Sequence, residues 1–292
     1  MVKYAITAAT GRFGRAAVSH LLTLVDKKDI VLVARNAQKA KQTFKDIEVR
    51  EASYDSESAM TKALSGIDRV LFISSQPGGK VPRLVQHQNV VNALTTNHVS
   101  FVVYTSFPHA DESENFLAQD HRGTEQAIVS AKLSHAFLRN NWYLENETSF
   151  LQAAASDASA YYWADKKVGW ALEREYAEAA ANVLANGAER EIYELSGPSI
   201  NFATLGETVK STFNASSTIQ QVSESEYTSQ LEKNGLDHDT ALMVTSFQTP
   251  IDDGSLAHPS DDGSLAHPSD DLPQLLGHDV TPLSEALKEI IR

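Results

Sequence analysis

The amino-acid sequence predicts an α/β fold built on a doubly wound parallel sheet, with a smaller α/β lobe in its C-terminal half. Short apolar runs alternate with segments of helical periodicity over the first half of the chain. The first run leads straight into a glycine-containing turn and a helix. Strands this apolar are covered on both faces, so the ligand crevice is expected at their carboxyl ends.

The turn after the first strand, at residues 7–14, has the features needed to approach a phosphate group. Gly11 and Gly14 allow close backbone approach and close packing of the following helix. That helix is indicated by apolar residues spaced along one face: Phe13, Ala17, Val18, Leu21, Leu22 and Val25. Because a pyrophosphate binds well at a helix N-terminus, the turn predicts a dinucleotide site and a Rossmann fold rather than a simple tight turn.

The end of the second strand, at residues 30–34, predicts which dinucleotide is bound. Arg35 follows it, where a site for NAD(H) usually carries an acidic residue for the ribose 2′-hydroxyl. Arg12 and Lys39 point the same way, because a 2′-phosphate is held best by a guanidinium with a second cation nearby. We therefore expect NADP(H). The competing interpretation is a solvated arginine that serves solubility alone.

Further strands extend the predicted sheet as far as residue 145. They are expected at residues 47–52, 70–73, 101–104 and 135–138, with helices at 56–64, 83–94 and 124–132. The carboxyl ends of the strands bring polar side chains to one edge: Thr10, Arg35, Ser74, Ser75, Thr105, Ser106, Arg139 and Asn140.

The pattern becomes mixed after about residue 145, and two regions are expected. Residues 1–145 form the predicted NADP-binding domain. Residues 146–292 form mainly a substrate lobe, with some elements returning to the main sheet. Within the second region we expect a helix at 174–184, a strand at 192–195, helices near Asn201 and at the capping box Ser223 to Glu226, and a last helix from Thr281.

Composition limits the classes of function. The chain of 292 residues has 42% hydrophobic residues, enough for a large core, and no cysteine for disulfides or thiol catalysis. Its net charge of −13 disfavours binding to nucleic acid or an anionic membrane. No membrane span or leader is indicated, so the cytoplasm is the expected location. The oligomeric state stays open, with a homodimer among the options.

A nine-residue segment occurs twice in succession, at residues 252–260 and 261–269. Its Asp, Gly, Pro and Ser content favours turns, so we expect a surface loop in which one copy is dispensable. The alternative is a metal site at His258 and His267. We favour a simple duplication and expect no metal, because metal coordination needs a fixed cage of ligands.

Several runs give the chain a resemblance to the NmrA-like, atypical short-chain dehydrogenase/reductases, of the quinone oxidoreductase and triphenylmethane reductase type. The most discriminating run is Arg139-Asn140-x-x-Tyr143-x-Glu145-Asn146, and the likeness covers essentially the whole chain. The resemblance implies an NADPH-dependent reductase whose small-molecule acceptor is a quinone or a similar electron-poor compound. It also implies the cofactor residues: Thr7, Ala8, Ala9, Thr10, Gly11, Arg12, Phe13, Arg35, Ser74, Ser75, Asn140, Asn141, Trp142, Tyr143, Leu144, Glu145 and Arg174.

Ala8 departs from the family pattern, which usually has glycine at this position of the turn. A methyl group costs little here only if the backbone φ angle is negative. The expected cofactor affinity depends on that angle.

The expected chemistry follows from a missing pair of residues. Ordinary short-chain dehydrogenases carry Tyr-x-x-x-Lys on the helix after strand 5, but this helix carries His121, Thr124 and Glu125. The match at Tyr162 and Lys166 lies past strand 6 and is interpreted as a coincidence. Without a proton donor, hydride transfer to a conjugated acceptor is favoured over ketone reduction. A redox-sensing regulator without turnover is the main alternative, and a sugar-nucleotide epimerase-like enzyme is a third.

The catalytic residue is left unassigned, with Tyr104, Ser106 and Tyr143 as candidates and Asn140 nearby. Each also has a structural interpretation, as sheet packing, a turn cap or core filling. The indoles of Trp142, Trp163 and Trp170 fit either an aromatic substrate pocket or the core of the lobe.

Overall fold

The computed structural model describes residues 2–256 and 270–291. Its strands are β1 (Tyr4–Ile6), β2 (Ile30–Ala34), β3 (Glu48–Glu51), β4 (Arg69–Phe72), β5 (Phe101–Ser106), β6 (His135–Asn140), β7 (Ser159–Tyr162), β8 (Ile192–Leu195) and β9 (Thr218–Gln221). Seven of them form one sheet in the order β3-β2-β1-β4-β5-β6-β8, and every pairing in it is parallel. The predicted doubly wound Rossmann-like sheet is confirmed.

Helices connect the strands and cover the sheet. They are α1 (Arg12–Leu24), α2 (Ala37–Thr43), α3 (Glu57–Ala63), α4 (Arg83–Thr96), α5 (Phe116–Ser130), α6 (Thr148–Ala154), α7 (Glu173–Asn186), α8 (Phe202–Phe213), α9 (Glu224–Lys233), α10 (His238–Ser246), α11 (Thr249–Asp252), α12 (Asp271–Leu276) and α13 (Leu283–Ile290). None of the helices among the described residues is both long and apolar enough to cross a membrane.

The chain divides into two compact units. Unit 1 contains residues 1–140, 173–195 and 271–278, and unit 2 contains residues 141–172, 196–270 and 279–292. The seven-stranded sheet belongs to unit 1. On one of its faces α1 packs against α7, and on the other a buried apolar cluster joins the strands to α3 and α4. The last strand of this sheet, β8, comes from the C-terminal half of the chain and pairs with β6.

Unit 2 is built around a small parallel sheet and a group of aromatic rings. The sheet pairs β7 with β9. Its core contains Tyr162 stacked on Phe202 at 5.3 Å between ring centroids, while Phe150 and Trp170 meet Phe202 edge-on. The predicted capping box is present at the start of α9, where Ser223 and Glu226 bond to each other's backbone amides. These contacts give unit 2 its own core.

Two local expectations differ from the structure. Helix α5 begins at Phe116, two turns before the expected residue 124, because Asn115 caps it by accepting from the Leu117 amide. Strand β3 is largely exposed rather than buried, since it forms the edge of the sheet. Most of the duplicated segment, including His258 and His267, lies outside the described residues.

Candidate cofactor site

The turn between β1 and α1 packs so closely that Gly14 has no room for a side chain. A Cβ atom there would lie 2.5 Å from the Ala8 carbonyl oxygen and 2.8 Å from the Ala9 Cα. Gly11 is the N-cap of α1, with no side chain to occupy the first amides, and the first turn of the helix has no acidic residue. The helix N-terminus is therefore open to an anion.

Ala8 adopts a positive φ of 49°, in the left-handed region. A methyl group would cost little here only with a negative φ angle, and Ala8 does not meet that condition. A non-glycine residue in this conformation is strained by about 1 kcal/mol. The fold accepts this strain because the Ala9 amide bonds to the Val33 carbonyl and the Gly11 amide to the Ala8 carbonyl, which fix the turn.

The residues of the turn do not all face solvent. Thr7 is buried, with its Oγ1 donating to the Leu71 carbonyl at 3.1 Å and accepting from the Ile73 amide at 3.0 Å. Tyr54 Oη lies 2.5 Å from the same oxygen. Ala9 and Phe13 are also buried, whereas Thr10, Gly11 and Arg12 are at least partly exposed. Thr7 thus joins β1 to β4, and the exposed members of the turn are the ones available to a ligand.

Arg35 lies directly after β2 and is exposed. It forms no ion pair with any residue in the part of the chain that the structure describes. Arg12, by contrast, has its Nε 2.9 Å from Oε2 of Glu173 on α7. Part of the charge of Arg12 is therefore neutralised within unit 1, while the charge of Arg35 is available at the edge of the sheet. Arg174, the next residue on α7, is partly buried.

The segment after β4 is held by side chains rather than by a ladder of backbone bonds. The Ser74 amide donates to Thr105 Oγ1 at 2.9 Å. Both backbone groups of Ser75 are bonded to α4, since its amide donates to His87 Nε2 at 3.0 Å and its carbonyl accepts from Arg83 Nε at 2.6 Å. Sequence reasoning missed Arg83 and His87. The available signal was a histidine on the apolar face of α4, one turn before Val90 and Val91.

The two catalytic candidates on β5 point into the protein. Tyr104 is fully buried, with Oη 2.9 Å from His121 Nδ1, and burial raises its pKa. Ser106 is also buried and donates from Oγ to Glu125 Oε1 at 2.6 Å. Both hydroxyls are therefore bonded to side chains of α5, and a catalytic role for Tyr104 or Ser106 stays a prediction.

Arg139, at the end of β6, is the centre of a buried ion network. Its guanidinium meets Glu125 through Nη2 and Nε at 2.7 and 3.1 Å, Asp111 at 2.7 Å and Glu194 at 2.9 Å. The carboxylates raise the pKa of Arg139 against the opposing effect of burial. Burial raises the pKa of Glu194. Asn140 follows Arg139 and is buried as well.

In unit 2, residues 141–147 form a compact segment. Asn141 donates to the Leu256 carbonyl at 3.1 Å, and the Leu144 amide donates to the Ala171 carbonyl at 2.9 Å. The Trp142 indole donates to the buried Glu147 carboxyl at 2.9 Å. Burial raises the pKa of Glu147 to about 7, although the indoles of Trp142 and Trp170 favour its charged form. Tyr143 and Glu145 are partly exposed.

The remaining aromatic residues belong to the core of unit 2. Trp163 donates from Nε1 to the Thr245 carbonyl at 3.0 Å, and Trp170 is buried against Phe202. Tyr162 lies on β7, so the Tyr162 and Lys166 pair is not on a helix. No group of three acidic or histidine side chains that could hold a metal ion occurs within residues 2–256 and 270–291.

The parallel sheet, the tight turn and the open N-terminus of α1 define a Rossmann-like dinucleotide-binding protein. A family model described as NAD(P)H-binding matches residues 8–162. The chain belongs to this NAD(P)H-binding family, and its amino-acid sequence matches a named reductase over almost its full length. Quinone oxidoreductase 2 of Escherichia coli (strain K12) is 34% identical over 290 residues, which cover 98% of each chain.

Solved structures agree with this assignment. The crystal structure of the NADPH-dependent quinone oxidoreductase of Escherichia coli, complexed with NADPH, has a TM-score of 0.86 at 32% identity and covers 99% of this chain and 100% of its own. Triphenylmethane reductase of Citrobacter sp., complexed with NADP(H), has a TM-score of 0.87 at 28% identity and covers 99% of each chain. The resemblance and the expectation of an NAD(P)H-dependent reductase are confirmed.

Proposed function

We propose that this chain is an NADPH-dependent reductase that transfers hydride to a quinone or a similar conjugated, electron-poor small molecule. The main support is the whole-length similarity to a protein named quinone oxidoreductase 2. The side chains support the same proposal, because a free guanidinium follows β2 and no acid–base pair is exposed on α5. We also propose a cytoplasmic location, as expected from the sequence.

The residues of unit 1 fit a dinucleotide that carries a 2′-phosphate. In the exposed part of the turn, Thr10 and Arg12 offer backbone amides to a pyrophosphate, while the Gly11 amide bonds to the Ala8 carbonyl. The tight contact at Gly14 keeps α1 close to that position. Arg35 provides a guanidinium for the 2′-phosphate. Ser74 and Ser75 lie partly exposed after β4. When bound, NADPH supplies the hydride.

The residues on α5 that occupy the place of a Tyr-x-x-x-Lys pair are not available as proton donors. His121 is buried and bonds to Tyr104 and Arg83, and Glu125 is buried against Arg139. Ketone reduction needs a proton on the oxygen in the transition state. A quinone takes hydride into a conjugated system, and its hydroquinone anion can take a proton from water. For such an acceptor the chain has to supply orientation and little else.

The proposal is tested by following the absorbance of NADPH with purified protein and a set of small quinones and cationic dyes. We expect NADPH oxidation that depends on the acceptor, with a much weaker response to NADH. A Lys41→Ala variant serves as the matched control for Arg35→Ala, because Lys41 is also an exposed cation after β2 and is not among the proposed cofactor residues. No oxidation with any acceptor would refute the proposal.

A regulator that binds NADP(H) without turnover is the second candidate. It is favoured by one observation, that the imidazole of His121 and the carboxylate of Glu125 are both bonded to other side chains inside unit 1. Tight binding of NADP+ by calorimetry, with no turnover and a protein partner that copurifies, would favour this regulator over the reductase.

A further inference from the structure

Four buried residues of unit 1 and the partly buried Arg83 form a cluster that the proposed hydride transfer does not use. They are Arg83 and His87 on α4, Tyr104 on β5, and His121 and Thr124 on α5. We refer to them as the imidazole cluster. The arrangement of donors in the cluster determines where each imidazole carries its proton, because arginine side chains and backbone amides can only donate.

The proton of His121 is fixed by Arg83. Arg83 Nη2 lies 2.9 Å from His121 Nε2, so this nitrogen must accept with its lone pair. The proton is then on Nδ1, which lies 2.9 Å from Tyr104 Oη. Burial, together with the positive charge of Arg83, keeps the pKa of His121 well below its usual value. His121 is therefore a neutral imidazole with its hydrogen on Nδ1.

The proton of His87 is fixed from two sides. Its Nε2 accepts from the Ser75 amide at 3.0 Å. Its Nδ1 lies 2.7 Å from Thr124 Oγ1, whose single hydrogen is donated to the Asp120 carbonyl at 2.7 Å. The hydrogen between His87 and Thr124 must therefore belong to Nδ1. Burial and the Arg83 charge lower the pKa of His87 to about 3, so the ring is neutral under ordinary conditions.

Ser75 is the residue that this arrangement holds. Its carbonyl accepts from Arg83 Nε, and its amide donates to His87 Nε2. The chain has no regular secondary structure after Phe72 until α4 begins, so these two side chains replace a strand ladder. A protonated His87 would face the Ser75 amide with a second donor, and the bond would be lost.

We propose that Arg83 and His87 are positioning residues for the dinucleotide, holding Ser75 through imidazoles whose hydrogens are both on Nδ1. This inference rests on the proposed function, since Ser75 is one of the proposed cofactor residues. It adds that the imidazole cluster orients the segment after β4 and supplies no proton to the acceptor. Free imidazole prefers the hydrogen on Nε2, so two Nδ1–H histidines are a specific expectation.

The first test is nitrogen-15 NMR of the histidine side chains in the full-length protein without cofactor. We expect the Nδ1–H signature for the rings of His87 and His121 and no titration of either ring between about pH 5 and 8, in contrast to an exposed histidine. In Arg83→Met, the constraint on His121 Nε2 is removed, and the Nε2–H form should appear for one ring. Nε2–H signals for both rings in the wild type, or an unchanged His121 in Arg83→Met, would overturn the proposal.

The second test measures NADPH binding by calorimetry. His87→Leu leaves the Ser75 amide without its acceptor, and we expect the Kd for NADPH to rise about tenfold. His87→Gln places an amide oxygen near the former Nε2 and should restore affinity to within about threefold of the wild type. Equal affinity of His87→Leu and the wild type would refute the positioning role, as would equal weakening by the two variants.

The two levels of the proposal fail separately. If the wild-type protein does not bind NADPH, the proposed function is wrong and the positioning role fails with it, whatever the NMR spectra show. If the wild type binds NADPH and only the His87 comparison fails, the proposed function stands and the positioning role does not. Should His87→Leu fail to fold, Arg83→Met with its NMR signature keeps the inference falsifiable.

Discussion

Arg35 and Arg139 both lie at the carboxyl edge of the same parallel sheet, yet their charges are used in opposite ways. Arg139 is 4% exposed and meets three carboxylates of its own unit, whereas Arg35 is exposed and meets none among the described residues. The position of an arginine at the end of a strand therefore does not by itself identify it as a binding residue. An arginine available to a ligand is one whose charge the protein has not already neutralised.

The largest effect is expected where the charge is buried. Arg139→Leu would leave Glu125 and Glu194 without their cation, and we expect a loss of about 3–5 kcal/mol in the free energy of unfolding. Arg139→Lys keeps the charge but loses the bidentate contact with Glu125, so its loss of unfolding free energy should be smaller than that of Arg139→Leu. Denaturant unfolding measures both variants. A loss below 1 kcal/mol in Arg139→Leu would contradict the assignment of a structural role.

Glu147 is a buried acid that, unlike the carboxylates around Arg139, accepts a hydrogen bond from an indole. Its pKa in the folded state is raised to about 7 from 4.5, mainly by burial. The unfolded state ionises first, so the stability contributed by Glu147 is fully present below about pH 4.5 and falls until about pH 7. The expected decrease reaches about 3 kcal/mol.

The control for this pH dependence is Glu147→Gln, which keeps an oxygen for the Trp142 indole and cannot ionise. We expect the difference in unfolding free energy between the wild type and this variant to change with pH over that interval. Parallel curves from pH 4.5 to 7 would show that the Glu147 carboxyl is not titrating there.

Arg35→Ala removes the exposed arginine at the end of β2. We expect NADPH affinity to fall about 10- to 100-fold, as for the loss of a charge-assisted bond, while NADH affinity changes little. The free energy of unfolding should stay within about 0.5 kcal/mol of the wild type. Calorimetric titration with each coenzyme, compared with Lys41→Ala, measures the effect. An equal loss for NADPH and NADH would mean that Arg35 does not read the 2′-phosphate.

The smallest effect is expected at Ala8. Replacing it by glycine removes the strain of the positive φ angle, and the free energy of unfolding should rise by about 0.5–1 kcal/mol. Ala9→Gly is the matched control. Ala9 is buried and lacks a positive φ, so glycine there should destabilise. The same sign for both substitutions, measured by thermal or denaturant unfolding, would argue against strain at Ala8.

Most of the sheet could be predicted from the sequence because its inner strands contain continuous apolar runs. The expected strand at residues 30–34 has the bounds of β2, and β8 has the expected bounds as well. Unit 2 is different. Strands β7 and β9 carry polar residues, and within residues 2–256 and 270–291 they pair with each other in a two-stranded sheet, so neither has the apolar signature of a central strand.

The candidate site was predictable only where backbone geometry demands a residue type. Gly14 could be identified because contact with Ala8 leaves no room for Cβ. The burial of Tyr104 and Ser106 could not be predicted, because the sequence of a strand does not show which polar side chain of the neighbouring helix will contact it. Arg83 and His87 were missed for the same reason, since their partner Ser75 is brought to them by tertiary packing.

The position of β8 at the end of the main sheet constrains how the polypeptide can be cut or synthesised. Residues 137–140 of β6 find their second neighbour only when residues 192–195 arrive, after the chain has passed through unit 2. A nascent chain of 145 residues would expose an unpaired strand edge and lack the α7 surface that covers α1. An isolated N-terminal half should therefore aggregate, and cotranslational folding of the nucleotide-binding portion must wait for most of the chain to leave the ribosome.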